Sequence, residues 1–229
     1  MSLYAIGDLH LSLGGSKSME VFGGRWEDYV RKLSEGFSGL CDDDLTVLCG
    51  DISWGMSMEE SLEDFLFIDR LPGKKIILKG NHDYWWSTVS KAKRFFADNG
   101  ITTIDILHNN SFAYEDVAIC GTRGWFYEEL KGDAHDRKIM QRENMRLEAS
   151  LKSAGEGRKL VFLHYPPKYL NYDCPDILRL LDEYGVELCC YGHLHAASCA
   201  YSFNGKLNDT QFRLVSADYV NFTPQKLLK

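Results

Sequence analysis

The sequence predicts an α/β fold, and three observations carry that expectation. Six short apolar runs of strand length recur along the chain: "LYAI" (3–6), "LTVLC" (45–49), "KIILK" (75–79), "VAIC" (117–120), "KLVFL" (159–163) and "VELCCY" (186–191). Longer stretches of helical period lie between them. Most of the runs stop at Gly or His, residues that end a strand rather than extend it.

Each helical stretch has its own warrant. In "WEDYVRKLSEGFSGL" (26–40) apolar residues fall at 26, 29, 30, 33, 37 and 40, one stripe of a helix. "SMEESLEDFLFIDRL" (57–71) opens with Ser57 and Glu60, a capping-box pair, and stops before Pro72-Gly73. "WSTVSKAKRFFADNG" (86–100) ends in Asn99-Gly100, a helix stop signal. "DRKIMQRENMRLEASLKSAG" (136–155) and "PDILRLLDEYG" (175–185) also end in Gly. Near the end, "CAYSF" (199–203) and "TQFRLVS" (210–216) read as strands, with Asn204-Gly205 a strong turn signal between them. The expectation is an α/β fold with some antiparallel pairing towards the end.

The 229 residues suit a single domain over 1–229. An apolar share of 45% and a charged share of 26% are those of a globular protein. The net charge of −7 argues against a general polyanion binder. An acidic chain can still act on an anion where metal ions reverse the local charge. No apolar run approaches the length of a membrane span, and "MSLYAIGDLH" lacks the basic start of a signal peptide, so a cytoplasmic protein is expected. The seven cysteines include no C-x-x-C, and several lie inside strand-like runs; they read as small buried hydrophobes in a reducing compartment.

The chemistry gathers behind the strands. Of seven histidines, five follow strand-like runs directly: His10, His82, His164, His193 and His195. Asp8, Asp51, Asn81 and Asp83 stand in the same places, in "AIGDLH", "LCGDIS" and "LKGNHD". The carboxyl ends of strands in an open α/β sheet are where ligands collect. A lone histidine there is commonly structural; five in equivalent positions point to a metal site. Imidazole, carboxylate and amide oxygen without thiolate suit Mn, Fe, Co, Ni or Zn. So many donors exceed the four of one site and argue for two ions.

The ordered set "GD-x-H … GD … GNHD … H … GH-x-H", from Asp8 to His195, resembles the calcineurin-like metallophosphoesterase superfamily. The resemblance implies a four-layer α-β-β-α sandwich of two mixed sheets flanked by helices. It also implies one divalent ion on Asp8, His10, Asp51 and His195, and a second on Asp51, Asn81, His164 and His193, with Asp51 bridging and manganese the favoured metal. His82 would stand beside the ions and assist the leaving group while water, activated between them, attacks phosphorus. The activity implied is phosphomonoester or phosphodiester hydrolysis. Substrates would be a phosphorylated small molecule, a nucleotide or a phosphoprotein. Asp83 would orient a nearby imidazole or cap a helix. Many members carry Asp or Asn three residues after the second motif's Asp, where this chain has Trp54.

Other residues stay open at this level. Arg123, in "CGTRGW", can bind a phosphate or form a structural ion pair. Trp54, Tyr84, Trp85 and Trp125 trail the same loops and either face the substrate or pack the next element, whereas Trp26 belongs to the first helical stripe. The glycine-rich segment 14–26 can cover the site, with Lys17 or Arg25 meeting a phosphate, or merely connect. Two other functions would leave different marks on the sequence. A scaffold without catalysis should lack a ligand, and none is missing. A nuclease of the superfamily would need a basic groove that the net charge disfavours.

Overall fold

The computed structural model describes residues 1–15, 17–125 and 133–229. The chain builds β1 (Leu3–Ile6), α1 (Tyr29–Phe37), β2 (Leu45–Leu48), α2 (Leu62–Arg70), β3 (Lys74–Ile77), α3 (Val89–Asp98) and β4 (Ile104–Ile106). Next come β5 (Phe112–Tyr114), β6 (Val117–Thr122), α4 (Ala134–Ser153), β7 (Arg158–Leu163) and the short pair β8 (Lys168–Tyr169) and β9 (Tyr172–Asp173). Last are α5 (Pro175–Glu183), β10 (Val186–Tyr191), β11 (Gly205–Leu207), β12 (Thr210–Leu214) and β13 (Gln225–Leu228). All six apolar runs form strands, and "TQFRLVS" gives β12.

Two mixed sheets result. One has the order β13-β1-β2-β3-β4 and the other β11-β12-β10-β7-β6-β5. The inner strands of each pair in parallel, while β13, β11 and β5 pair antiparallel. Strands covered on both faces need apolar residues at every position, and for this reason the runs read as continuous rather than alternating. Side chains still part with period two. Leu3, Ala5, Val47, Cys49 and Ile76 of the first sheet meet Ile119, Leu160, Phe162, Leu188 and Cys190 of the second. Ile6, Leu48 and Ile77 turn the other way, onto Leu33, Phe37, Phe65 and Phe96 of the helices. Val161, Leu163, Cys189 and Tyr191 pack on Leu147, Leu151, Ile177 and Leu180. The fold is therefore the expected sandwich of two sheets flanked by helices.

The helices start where local chemistry permits. Asp133 accepts hydrogen bonds from the amides of His135 (2.7 Å) and Asp136 (2.9 Å), and the Asp136 side chain answers on the Asp133 amide, a full capping box for α4. Thr88 Oγ1 caps α3 by accepting from Lys91 N. Asp28 sits at φ 53°, so α1 begins at Tyr29 rather than at Trp26. Ser57 accepts from the amide of Glu60, but Glu60 reaches the Met56 amide and regular helix begins at Leu62.

The end of the chain differs from expectation. Residues Ala196–Tyr201 form a 3-10 helix, so "CAYSF" is not a strand. Asn204-Gly205 does not turn the hairpin; Gly205 opens β11, paired to Phe212, and the turn falls at Asn208-Asp209. Asn204 spends its amide oxygen on the Leu214 backbone N–H (2.8 Å), a strand-edge role that overrides its turn preference. All seven cysteines are free and only Cys41 is exposed. Among the described residues no helix is long and apolar enough to cross a membrane.

Phe162 is fully buried between the sheets. Phe162→Ala is expected to cost about 3–5 kcal/mol, read as a fall in the urea midpoint at unchanged slope.

Candidate metal centre

Both sheets deliver side chains to one edge. Asp8 and His10 follow β1, Asp51 follows β2 and Asn81 to Asp83 follow β3; His164 follows β7, and His193 and His195 follow β10. The chain turns sharply there. Asp8, His10, Asp51 and His193 hold φ of 59°, 46°, 50° and 72°, a left-handed conformation that costs about 1 kcal/mol or more each. Glycine makes room: a Cβ on Gly80 would overlap the Asp51 carboxylate, and one on Gly192 would overlap that of Asp8.

The donors converge in two groups. His10 Nε2 and His195 Nε2 lie 3.2 Å apart, with Asp8 Oδ1 3.5 Å from His195 Nε2. Asn81 Oδ1 lies 2.6 Å from His164 Nε2 and 2.9 Å from His193 Nδ1. Asp51 Oδ2 touches both groups, at 3.7 Å from His10 Nε2 and 3.6 Å from His164 Nε2. The structure thus brings together all seven residues expected as ligands.

The arrangement fits a cation and little else. His164 Nδ1 lies 3.0 Å from the Cys49 carbonyl, so it carries the proton and Nε2 presents a lone pair towards the Asn81 oxygen. Two lone pairs this close repel unless a positive charge lies among them. Burial pushes His164 down to about 3 and His193 down to about 4, the neutral forms that bind metal. Burial also opposes protonation of His195, but the Asp8 and Asp218 carboxylates outweigh it and raise its pKa to about 10. Burial, then Asp83 and Asp8, hold the Asp51 carboxyl well above the usual range. The cluster therefore attracts positive charge, and divalent ions would meet that demand.

His82 stands apart from the ligand groups. Its backbone N–H donates to Asp51 Oδ1 (2.8 Å). Its ring lies 4.5 Å from Trp54 and 5.7 Å from His10, at the mouth of a cleft of about 530 Å³. Met19, Phe22, Arg25, Trp26 and Trp54 line that cleft, so the glycine-rich segment does reach over the site. Trp54 is stacked on His10, centroids 5.0 Å apart, in the position where many superfamily members carry an acid. Lys17 lies over the Trp54 ring at 5.3 Å. Tyr84 is exposed with its hydroxyl 3.4 Å from His82 Nδ1, whereas Trp85 is buried against Phe65.

Asp83 departs from both roles expected of it. It neither meets an imidazole nor caps a helix. Its carboxylate accepts backbone hydrogen bonds from Asp51 (2.9 Å), Ile52 (2.8 Å) and Gly80 (2.7 Å), and one from Trp85 Nε1 (2.9 Å). Arg123 pairs with the buried Glu143 at 3.6 Å and lies over Trp125. Two residues escaped the sequence reading. Asp218 accepts from His195 Nδ1 (2.9 Å) and fixes that ring's tautomer. Trp26, assigned only to a helical stripe, packs edge-on against His10 and His195.

This geometry agrees with what the sequence matches. The chain belongs to the calcineurin-like phosphoesterase family, whose model matches residues 1–197. Solved structures share the fold at low identity. The phosphopantetheinyl hydrolase of Mycobacterium tuberculosis has 14% identity and a TM-score of 0.60, over 99% of this chain and 95% of that one. TT1561 of Thermus thermophilus has 10% identity and a TM-score of 0.59, over 99% and 97%. AQ665 of Aquifex aeolicus, a protein of unknown function, has 15% identity and a TM-score of 0.50, over 98% and 95%. No curated protein is similar enough to count as a match. Membership of the family implies divalent metal ions and hydrolysis of phosphoesters.

Asp218→Asn is expected to weaken metal binding about 10- to 100-fold, measured by competition with a chromogenic chelator. Unchanged affinity would remove Asp218 from the centre.

Proposed function

We propose that the protein is a hydrolase of phosphoester bonds that works with two divalent transition-metal ions. The observation that carries the reading is the Asp51 carboxylate, whose Oδ2 lies between two separate groups of donors. Asp8, His10, Asp51 and His195 would hold one ion; Asp51, Asn81, His164 and His193 would hold the other. Bound there, the ions supply Lewis acidity that activates water and polarises phosphoryl oxygens.

The chain's own residues do the rest. Cys49 O and Asp218 orient the His164 and His195 rings, so each offers its Nε2. Asp83 holds the Asp51 and Gly80 backbones, and with them Asn81 and His82, in fixed relation. His82, on the cleft side and outside both donor groups, gives a proton to the departing oxygen. Trp54 and Trp26 close the apolar side of the cleft and limit water around the leaving group. The fold neighbour named as a phosphopantetheinyl hydrolase lends further support to hydrolysis on this fold. The donor set of imidazole, carboxylate and amide oxygen without thiolate suits Mn, Fe, Co, Ni or Zn, and manganese is the metal we favour.

Reconstituted protein is expected to hold close to two metals per chain by elemental analysis and to cleave p-nitrophenyl phosphate or its diester; a metal-free product would end the reading. Asp51→Asn should abolish turnover while circular dichroism stays native, and full activity in that variant would remove the shared-ligand role. His82→Ala should keep its metals and lose about 100-fold or more in kcat. If it loses the metals instead, His82 is a ligand.

A further inference from the structure

A second cluster of charge lies on the same edge, and the metal centre does not use it. Lys79 directly precedes Gly80-Asn81 at the end of β3. Arg123 follows β6, and its carbonyl accepts from the amides of His164 (3.1 Å) and Tyr165 (2.9 Å). His108 follows β4, beside β3, with Leu107 N bonded to Ile77 O at 2.9 Å. Glu143 and Arg146 come from α4, which is fastened to this corner by Ser150 Oγ: it accepts from Gly121 N (2.9 Å) and donates to Asn110 O (2.6 Å).

The charges do not balance. Glu143 is wholly buried and is the acid that α4 brings to the cluster. It accepts from Thr122 Oγ1 (2.7 Å) and Arg146 Nη1 (2.6 Å), and Arg123 Nη2 lies 3.6 Å away. Its oxygens are committed to those partners. Lys79 is half-buried and, among the described residues, has no ion pair or hydrogen bond. Arg123 Nε is buried with no partner among the described residues. Among the described residues, three cations and an imidazole thus face two carboxylates, Glu143 and Asp83, and the Asp83 oxygens are committed to the Asp51, Ile52 and Gly80 amides and to Trp85. Burial and then Arg146 pull the His108 pKa down. Half-buried like charges with free donors are a binding site short of its anion.

The geometry points to a second oxyanion subsite, formed by Lys79, Arg123, Arg146 and His108, that takes a phosphoryl or carboxylate group of a substrate carrying two anionic groups. The subsite rests on its own charges rather than on the metal centre. It extends the phosphoesterase reading by giving the substrate a second anchor. Tyr165 connects the two places: its ring lies 4.3 Å from His193 and 5.2 Å from Trp125, on which Arg123 is stacked. Tyr165 is buried, so its packing fixes the spacing between the metal donors and Arg123.

The test is calorimetric titration of the full-length, metal-loaded protein with sulfate, in parallel with Lys79→Met, Lys79→Arg and Asp51→Asn. One sulfate site is expected to persist in Asp51→Asn, which removes the shared metal ligand. In Lys79→Met it should weaken about tenfold or more, and Lys79→Arg should restore it. Lys79→Met should also melt no lower than the parent in sulfate-free buffer, since it removes a repelled charge and breaks no bond. Equal sulfate affinity in the parent and Lys79→Met, or no sulfate binding by the parent, overturns the subsite. A second arm compares phenyl phosphate with a carboxyphenyl phosphate. A rise in KM for the carboxylated ester alone in Lys79→Met assigns the anion to the substrate. An equal rise for both esters overturns that assignment in favour of a free anion. Failure of hydrolysis itself would leave the sulfate result standing, so the two readings fail separately.

Discussion

One buried carboxylate holds the catalytic edge together. Asp83 gathers the backbone N–H groups of Asp51, Ile52 and Gly80, which come from two different strand ends. Each such bond to a charged acceptor contributes about 1.5–3 kcal/mol. That is enough to offset the left-handed turns at Asp51 and its neighbours. With the Asp51 backbone fixed, its side chain has little freedom. One oxygen is taken by the His82 amide, and the other faces both donor groups. The distance between the two groups is thus set by a residue that touches neither.

The electrostatics of the edge follow from that packing. Two carboxylates, Asp8 and Asp51, are buried side by side with His164 and His193, which burial keeps neutral, and with His195, whose pKa Asp8 and Asp218 raise. In water such groups would separate; here the backbone forbids it. The carboxylates of the centre and the positive charge around Lys79 lie along one rim of the same two sheets. A chain with a net charge of −7 therefore presents a locally graded surface to an anion. The apolar walls of Trp26 and Trp54 keep water from levelling it.

Much of this was legible in the sequence, for a physical reason. Strands covered on both faces leave unbroken apolar runs, and the turns that end them need Gly next to a polar residue. Both signals are local, so six of the seven inner strands could be read directly, and the family resemblance then picked the seven donors from the polar residues behind them. What escaped depends on distance in space. Asp218 acts on His195 from 23 residues away and looks in sequence like any loop acid. Asp83 sits beside the motif, yet its partners are backbone amides that no pattern can reveal. Asn204-Gly205 misled because the Asn side chain found a strand amide ten residues on. Edge strands such as β4 and β5 are three residues long, too short for any periodicity to register.

The distribution of the donors has a consequence for folding. Asp8, His10, Asp51 and Asn81 hang from one sheet, while His164, His193 and His195 hang from the other. Under the proposed assignment, no contiguous segment of the chain would contain a complete set for either ion. An ion held from both sheets would act as a rivet through the sandwich, its affinity shared with the interface between the sheets. Loss of that ion would then loosen the contact of Val47 and Ile76 with Leu160 and Phe162 as well as the edge itself. Occupancy of the centre would become a measure of whether the whole sandwich is closed.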